Sequence, residues 1–117
     1  MQEWHDSQPI YQQLKEAVLH RILTGSLIEG DPVPSVRQVA AEERINPLTV
    51  TRAYQMLTEE GLLEKRRGLG LFVVEGARAR AVASERESFL RIEWPRIRAR
   101  ISALDIDLPS LLSDEQP

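Results

Sequence analysis

Three observations predict an α+β fold in which three helices precede a two-stranded hairpin and a short helical tail follows. Apolar residues recur at helical spacing in three runs between residues 10 and 60, each bounded by capping or stopping residues. The pattern then shifts to two short β-branched and aromatic segments around a glycine-bearing turn. Beyond residue 76 the chain becomes an Ala-, Arg- and Glu-rich stretch with an apolar stripe. Two parts are therefore expected, 8–75 and 76–113.

Each element has its own justification. Ile10, Leu14, Val18 and Ile22 share one helical face, with Tyr11 and Leu19 beside it. Pro9 suits the first turn, where its missing N–H costs nothing; Ser7 is a candidate cap, and Gly25 ends the helix. Leu27 to Val33 reads as a connector around the turn Gly30-Asp31-Pro32, and Leu27–Ile28 is too short to secure a strand. Ser35 is a natural N-cap with Gln38 three residues on, as a capping box requires, and Val36, Val39 and Ala40 form the buried stripe of the second helix. Arg44-Ile45 leads to Asn46 as the next N-cap and Pro47 at the first helical position. Val50, Ala53, Tyr54 and Leu57 then supply an apolar face up to the stop at Gly61. Leu62 to Arg66 and Leu71 to Val74 read as strands joined by Arg67-Gly68-Leu69-Gly70. Helix, short helix, tight turn, longer helix, hairpin is the order of a winged helix-turn-helix.

In the tail, Leu90, Trp94, Ile97, Ile101 and Leu104 fall at intervals of 4, 3, 4 and 3, a coiled-coil-like seam. Pro95 is expected to kink that helix or start a new one, and Asp107 to cap a last short helix through Leu111 and Leu112. The stripe needs covering. It could fold back on its own winged domain, but 41 residues are too few for an independent core, and a second subunit covers it most simply. A homodimerisation tail is therefore expected.

Composition narrows the function classes. With 42% hydrophobic and 28% charged residues the chain is globular, and no apolar run approaches the ~20 residues of a membrane span. The acidic, polar start lacks the basic and apolar regions of a signal peptide, which favours the cytoplasm. No cysteine is present, so disulfides and thiolate chemistry are excluded; with only His5 and His20, neither a metal site nor any other cofactor is expected. No Ser, His and carboxylate arrangement suggests catalysis, and Gly68-x-Gly70 is too short for a dinucleotide phosphate loop. The net charge of −3 gives no support for nucleic-acid binding: residues 1–75 hold 8 basic and 11 acidic residues, and 76–117 hold 7 of each. Any case for DNA rests on where particular basic residues sit.

Five blocks carry a resemblance. Pro9-Ile10-Tyr11-Gln12-Gln13-Leu14, Pro34-Ser35-Val36-Arg37, Asn46 through Tyr54, Glu60-Gly61-Leu62-Leu63, and Arg66 through Val73 closely resemble, in order and spacing, the GntR family of bacterial regulators. The short helical remainder is similar to the YtrA-type subfamily, with its two-helix dimerisation tail; the chain is far too short for the aminotransferase-like domain of the MocR type. At Leu71 the family pattern has Thr, and at Asp105 the YtrA-type tail often has Gly.

A helix fits the major groove of B-DNA with its N-terminal residues at the base edges. Asn46, Leu48, Thr49, Thr51 and Arg52 occupy that first turn and a half, with Thr49 and Arg52 expected together opposite the core. Arg52 can take a guanine bidentately, and the threonines can meet phosphate or a thymine methyl. The alternative for Arg52 is an ion pair with Glu59 or Glu60. The resemblance implies a DNA contact for Arg37, with Ser35 offering its backbone N–H nearby, where a helix start favours phosphate. It also implies contacts for Arg66, Arg67, Gly68 and Gly70, whose slim tip suits a narrow minor groove; the alternative is a solvated hairpin whose glycines serve only the turn. Among the tail arginines only Arg78 and Arg80 are candidates for DNA.

The expected partners are thus double-stranded DNA and a second copy of the chain, in a sequence-specific regulator, a repressor by resemblance, on an inverted repeat. A non-specific architectural or replication protein and a protein-interaction module are the alternatives. A small-molecule effector is left open, expected between tail and winged domain and assigned no residues.

Overall fold

A computed structural model describes residues 3–113; Met1-Gln2 of the acidic start and 114–117 of the polar tail lie outside the described residues. The described elements run α1 (Ile10–Thr24), α2 (Val36–Glu43), α3 (Pro47–Glu59), β1 (Leu63–Arg66), β2 (Gly70–Val73), α4 (Ala77–Ser88), a π turn (Phe89–Glu93), α5 (Trp94–Ala103) and α6 (Leu108–Leu111). They form two units that part between Val82 and Ala83.

In the first unit α1, α2 and α3 enclose a core closed by the hairpin. α1 contributes Leu14, Val18, Leu19 and Ile22, while Ile10 at its start stays exposed. Pro9, not Ser7, is the N-cap, and no side chain caps the helix. Ser7 instead bonds His5 through its hydroxyl, 2.5 Å from Nδ1. The buried Gln13 organises this entry: its amide nitrogen donates to the carbonyls of His5 (2.7 Å) and Gln8 (2.8 Å), and its oxygen accepts the His5 N–H at 3.0 Å. Gly25 ends α1 in the left-handed conformation at φ 86.

The hairpin pairs β1 and β2 antiparallel, from Leu63 opposite Val73 to Arg66 opposite Gly70. Its third element is not Leu27–Ile28, whose Leu27 is drawn into the core. The segment after the Gly30 turn takes that place: Pro32 bridges Phe72, the Val33 N–H donates to Leu71 O (3.0 Å), and Asp31 O accepts from Val73 N–H (2.9 Å). With no N–H of its own, Pro32 limits this pairing to a bridge.

The first unit runs on into α4 because Ala77 and Ala81 are core residues. Three hydrogen bonds fasten this first stretch: Gly76 N–H to Glu29 Oε1 (2.7 Å), Arg78 Nε to Leu23 O (3.0 Å) and Arg80 Nη1 to Gly61 O (3.5 Å). Arg78 and Arg80, which the sequence offers as DNA contacts, therefore bond within their own unit; one satisfies an end carbonyl of α1 and the other the turn after α3.

In the second unit, Pro95 sits in the first turn of α5 and does not end the helical path. Proline leaves the carbonyl four residues back without a donor and crowds it. Ahead of it the helix widens by one residue, so that Trp94 N–H reaches Phe89 O. None of the residues from Phe89 through α6 is buried. Asp107 is the N-cap of α6 but takes the Ser110 hydroxyl (2.7 Å) rather than a backbone N–H.

Gly61 is the position most exposed to test. It holds φ 78, and a Cβ there would lie 2.0 Å from Arg80 Nη1. A flexible Arg80 can withdraw, but the backbone cost of a left-handed alanine, about 1–2 kcal/mol, cannot be relieved. Gly61→Ala is expected to lower unfolding free energy by that amount in urea titrations, in the Arg80→Ala background as well; a full rescue by Arg80→Ala contradicts the backbone explanation.

Candidate nucleic-acid interface

The start of α2 is set by Ser35, whose hydroxyl oxygen accepts the Gln38 N–H at 3.1 Å. The reciprocal half of a capping box is missing, since the Gln38 amide turns outward to Glu42 Oε1 (3.1 Å). Arg37 is exposed in this first turn and has neither hydrogen bond nor ion pair among the described residues. A cation beside the positive end of a helix dipole with no carboxylate to offset it is electrostatically suited to an anion.

The turn to α3 passes through Arg44 in the left-handed region, φ 55, and Asn46 then caps α3 by accepting the Leu48 N–H at 2.8 Å. Val50, Ala53, Tyr54 and Leu57 face inward, as their spacing requires. Leu48 (75% exposed), Arg52, Gln55 and Glu59 form the outward stripe. Thr49 and Thr51 are half-buried. Thr49 lies three residues before Arg52 and so about 60° from it around the helix, on the same side but less open to solvent.

Arg52 pairs with neither Glu59 nor Glu60. Its guanidinium carbon lies 3.9 Å from the centroid of the Tyr11 ring on α1, with Nη2 3.3 Å from the phenol oxygen. Glu60 is taken by Lys15 at 2.5 Å.

The two wing arginines have different surroundings. Arg66 turns back over Phe72, 4.3 Å from the ring centroid, with Nε 3.3 Å from Glu64 Oε1. Its charge is offset within the hairpin. Arg67, at the tip, has no partner among the described residues. Gly68 (φ 76) and Gly70 (φ 106) both need the left-handed region, and nothing lies within 4 Å of where a Cβ would stand on either. The turn alone accounts for both glycines, and the same lack of side chains keeps the tip slim.

One groove joins the three blocks. Val36 of α2, Thr51 and Gln55 of α3, and Lys65, Gly70 and Leu71 of the hairpin all line it. Tyr54 forms part of its wall, and its hydroxyl donates to Pro34 O at 2.7 Å, fixing the approach to α2 from the middle of α3. Burial pushes the Tyr54 phenol up to about 12, against a small lowering by Arg21. Gln55 and Lys65 are additions to the residues expected from sequence. Gln55 was within reach of spacing arguments, lying seven residues after Leu48 on the same stripe; Tyr11 beside Arg52 is a pairing across 41 residues with no local signal. Among the described residues no three potential metal ligands of the His, Cys, Asp and Glu types cluster, and no helix is long and apolar enough to cross a membrane.

Residues 10–73 match the family described as bacterial regulatory proteins, gntR family. The chain belongs to this family. Among GntR regulators it is of the YtrA type: it is 40% identical over 76 residues to the HTH-type transcriptional repressor YtrA of Bacillus subtilis, covering 65% of this chain and 58% of that one. The chain spans about three fifths of the length of two curated relatives that it matches, YtrA among them. A GntR family transcriptional regulator from Listeria monocytogenes superposes with a TM-score of 0.74 at 28% identity, covering 93% of this chain and 94% of the other. The DNA-binding domain of AraR, solved in complex with operator ORR3, superposes with a TM-score of 0.55 at 26% identity, covering 63% of this chain and 93% of that one.

The Tyr54 bond carries a pH signature. The fold holds the phenol protonated, so its contribution is complete below the ordinary value of 10 and is lost as pH rises through about 12. Tyr54→Phe is expected to cost about 1 kcal/mol at neutral pH. The gap between the two proteins in urea melts should shrink from pH 10 towards 12; a gap that stays constant would show that the phenol does not titrate with unfolding.

Proposed function

We propose that this GntR-family chain is a sequence-specific repressor of transcription that binds duplex DNA as a homodimer on an inverted repeat. The observation that carries the reading is one groove lined from α2, α3 and the hairpin, together with Arg37 in the first turn of α2 and Arg67 at the hairpin tip, neither of which has a hydrogen bond or ion pair among the described residues. In this reading α3 enters the major groove. Leu48, Thr51, Arg52 and Gln55 face the bases, Arg52 taking a guanine. Ser35 and Arg37 hold phosphate at the start of α2, with Asn46 and Thr49 near the backbone. Arg67 and the Gly68–Gly70 tip approach the minor groove, and Arg66 braces the wing from its place on Phe72. The solved AraR–operator complex supports DNA as the partner.

The dimer rests on the tail. Leu90 (51%), Ile97 and Leu104 (57%) are exposed, Trp94 and Ile101 are half-buried, and Phe89, Ile92 and Ile106 add further exposed apolar surface. A second copy covers this surface and places two α3 helices on two half-sites. The protein acts by binding, with no catalysis and no cofactor, in the cytoplasm; a small-molecule effector is a further partner to be sought.

Fluorescence anisotropy with DNA from upstream of its own gene and with random duplex tests the reading. Preference for the upstream DNA by ~10³ or more is expected of a specific regulator. Equal affinity overturns sequence reading, and no binding at low salt overturns DNA as the partner. Arg52→Ala is expected to weaken the preferred duplex by roughly 5- to 100-fold, the equivalent of one bidentate base contact. Replacing Ile97 and Ile101 together by Asp is expected to give monomers in light scattering; an intact dimer refutes the tail as the interface.

A further inference from the structure

Two arginines in the first unit lie over aromatic rings, and their electrostatic settings are opposite. Arg66 over Phe72 has its Nε against the Glu64 carboxylate. Arg52 over Tyr11 has no carboxylate partner among the described residues: the positions one turn away on α3 are Leu48, Thr49, Gln55 and Met56, and Glu60 pairs with Lys15. Tyr11 and Lys15 stand one turn apart on α1, and each engages the exposed flank of α3: Tyr11 meets the cation of Arg52, and Lys15 meets the anion of Glu60.

We propose that Tyr11 is a positioning residue for base reading: its ring fixes the plane of the Arg52 guanidinium before DNA arrives. This rests on the reading of Arg52 as the guanine contact. An arginine on an exposed helix face samples many rotamers, whereas bidentate recognition needs one plane and two parallel N–H groups. Stacking uses the face of the guanidinium and leaves its edge available. Only Nη2 is engaged, by the phenol oxygen; Nε and Nη1 have no bonded partner among the described residues. Nη2 carries a second hydrogen, so the phenol takes one N–H donor and one bidentate edge of the group stays open. Tyr11 can order the group because it is itself half-buried against the core through α1. Its contribution falls on discrimination between sequences, while attraction to the phosphate backbone comes from other groups.

The test begins by selecting bound sequences from a pool of randomised duplexes with the full chain, then with Arg52→Ala to identify the base pair that depends on Arg52. Tyr11→Leu is expected to weaken the selected duplex about tenfold, part of the value of a bidentate contact, with less than about a twofold effect on a scrambled duplex. In the Arg52→Ala background Tyr11→Leu should add nothing, whereas with Arg52 in place Tyr11→Phe, which keeps the ring, should retain most of the discrimination. Equal losses on both duplexes, or full additivity with Arg52→Ala, overturn the proposal. Should Tyr11→Leu fold poorly, NMR of the free protein decides: ring-current-shifted Arg52 side-chain resonances in the wild type and in Tyr11→Phe are expected, and unshifted ones overturn it. If the wild type enriches no sequence, the repressor reading falls and this inference with it. If Arg52→Ala abolishes the preference while Tyr11→Leu retains it, this inference alone falls.

Discussion

Burial of the inner face of α3 is the constraint on which the rest of the first unit depends. Val50, Ala53 and Leu57 are fully buried and Tyr54 nearly so. Each large apolar side chain withdrawn from water in this way contributes about 1.5–3 kcal/mol, so the helix has one rotational setting that satisfies all four. That setting leaves Leu48, Arg52, Gln55 and Glu59 facing outward. The small side chain at Ala53, at the centre of the stripe, permits close approach by its neighbours. Tyr54 then extends the same stripe to Pro34 and so ties the start of α2 to α3. The outward chemistry is thus fixed by the inward packing.

Charge acts locally in this molecule. A net charge of −3 provides no general attraction for a polyanion. What differs from site to site is whether a basic side chain already has an anion. Arg66 has Glu64 and Lys15 has Glu60, whereas Arg37, Arg67 and Arg52 have no carboxylate partner among the described residues. A basic side chain with an internal counter-charge gains little from a phosphate. Sorting the arginines by their neighbours therefore says more than counting them.

Much of this organisation was legible in the sequence, because its signals are local. Ser35 and Asn46 cap where their residue types suggest, and the four inward positions of α3 follow from 3-4 spacing. The hairpin is within a residue of its expected limits, since Gly68 and Gly70 supply the left-handed turn. What spacing does not disclose is tertiary partnership. Ser7 is drawn to His5 while the buried Gln13 organises the entry to α1. Arg78 and Arg80 find carbonyls of their own unit, and Arg52 finds Tyr11. Nor does the rule that proline breaks helices indicate that a wider turn will absorb it, as happens ahead of Pro95.

Among the described residues two non-glycines hold positive φ, Arg44 and Asp105, and both stand in turns that end a helix. A left-handed arginine is strained by about 1–2 kcal/mol, and glycine removes that strain at the expense of roughly 0.5–1 kcal/mol of added freedom in the unfolded chain. Aspartate tolerates the conformation better, so the balance at Asp105 is closer to even. Every arginine codon with a first-position C or A, and every aspartate codon, is one base change from a glycine codon. The turn between α2 and α3 therefore keeps a reserve of stability within a single mutational step, one that can offset a destabilising change on the outward face of α3 while its sequence preference drifts.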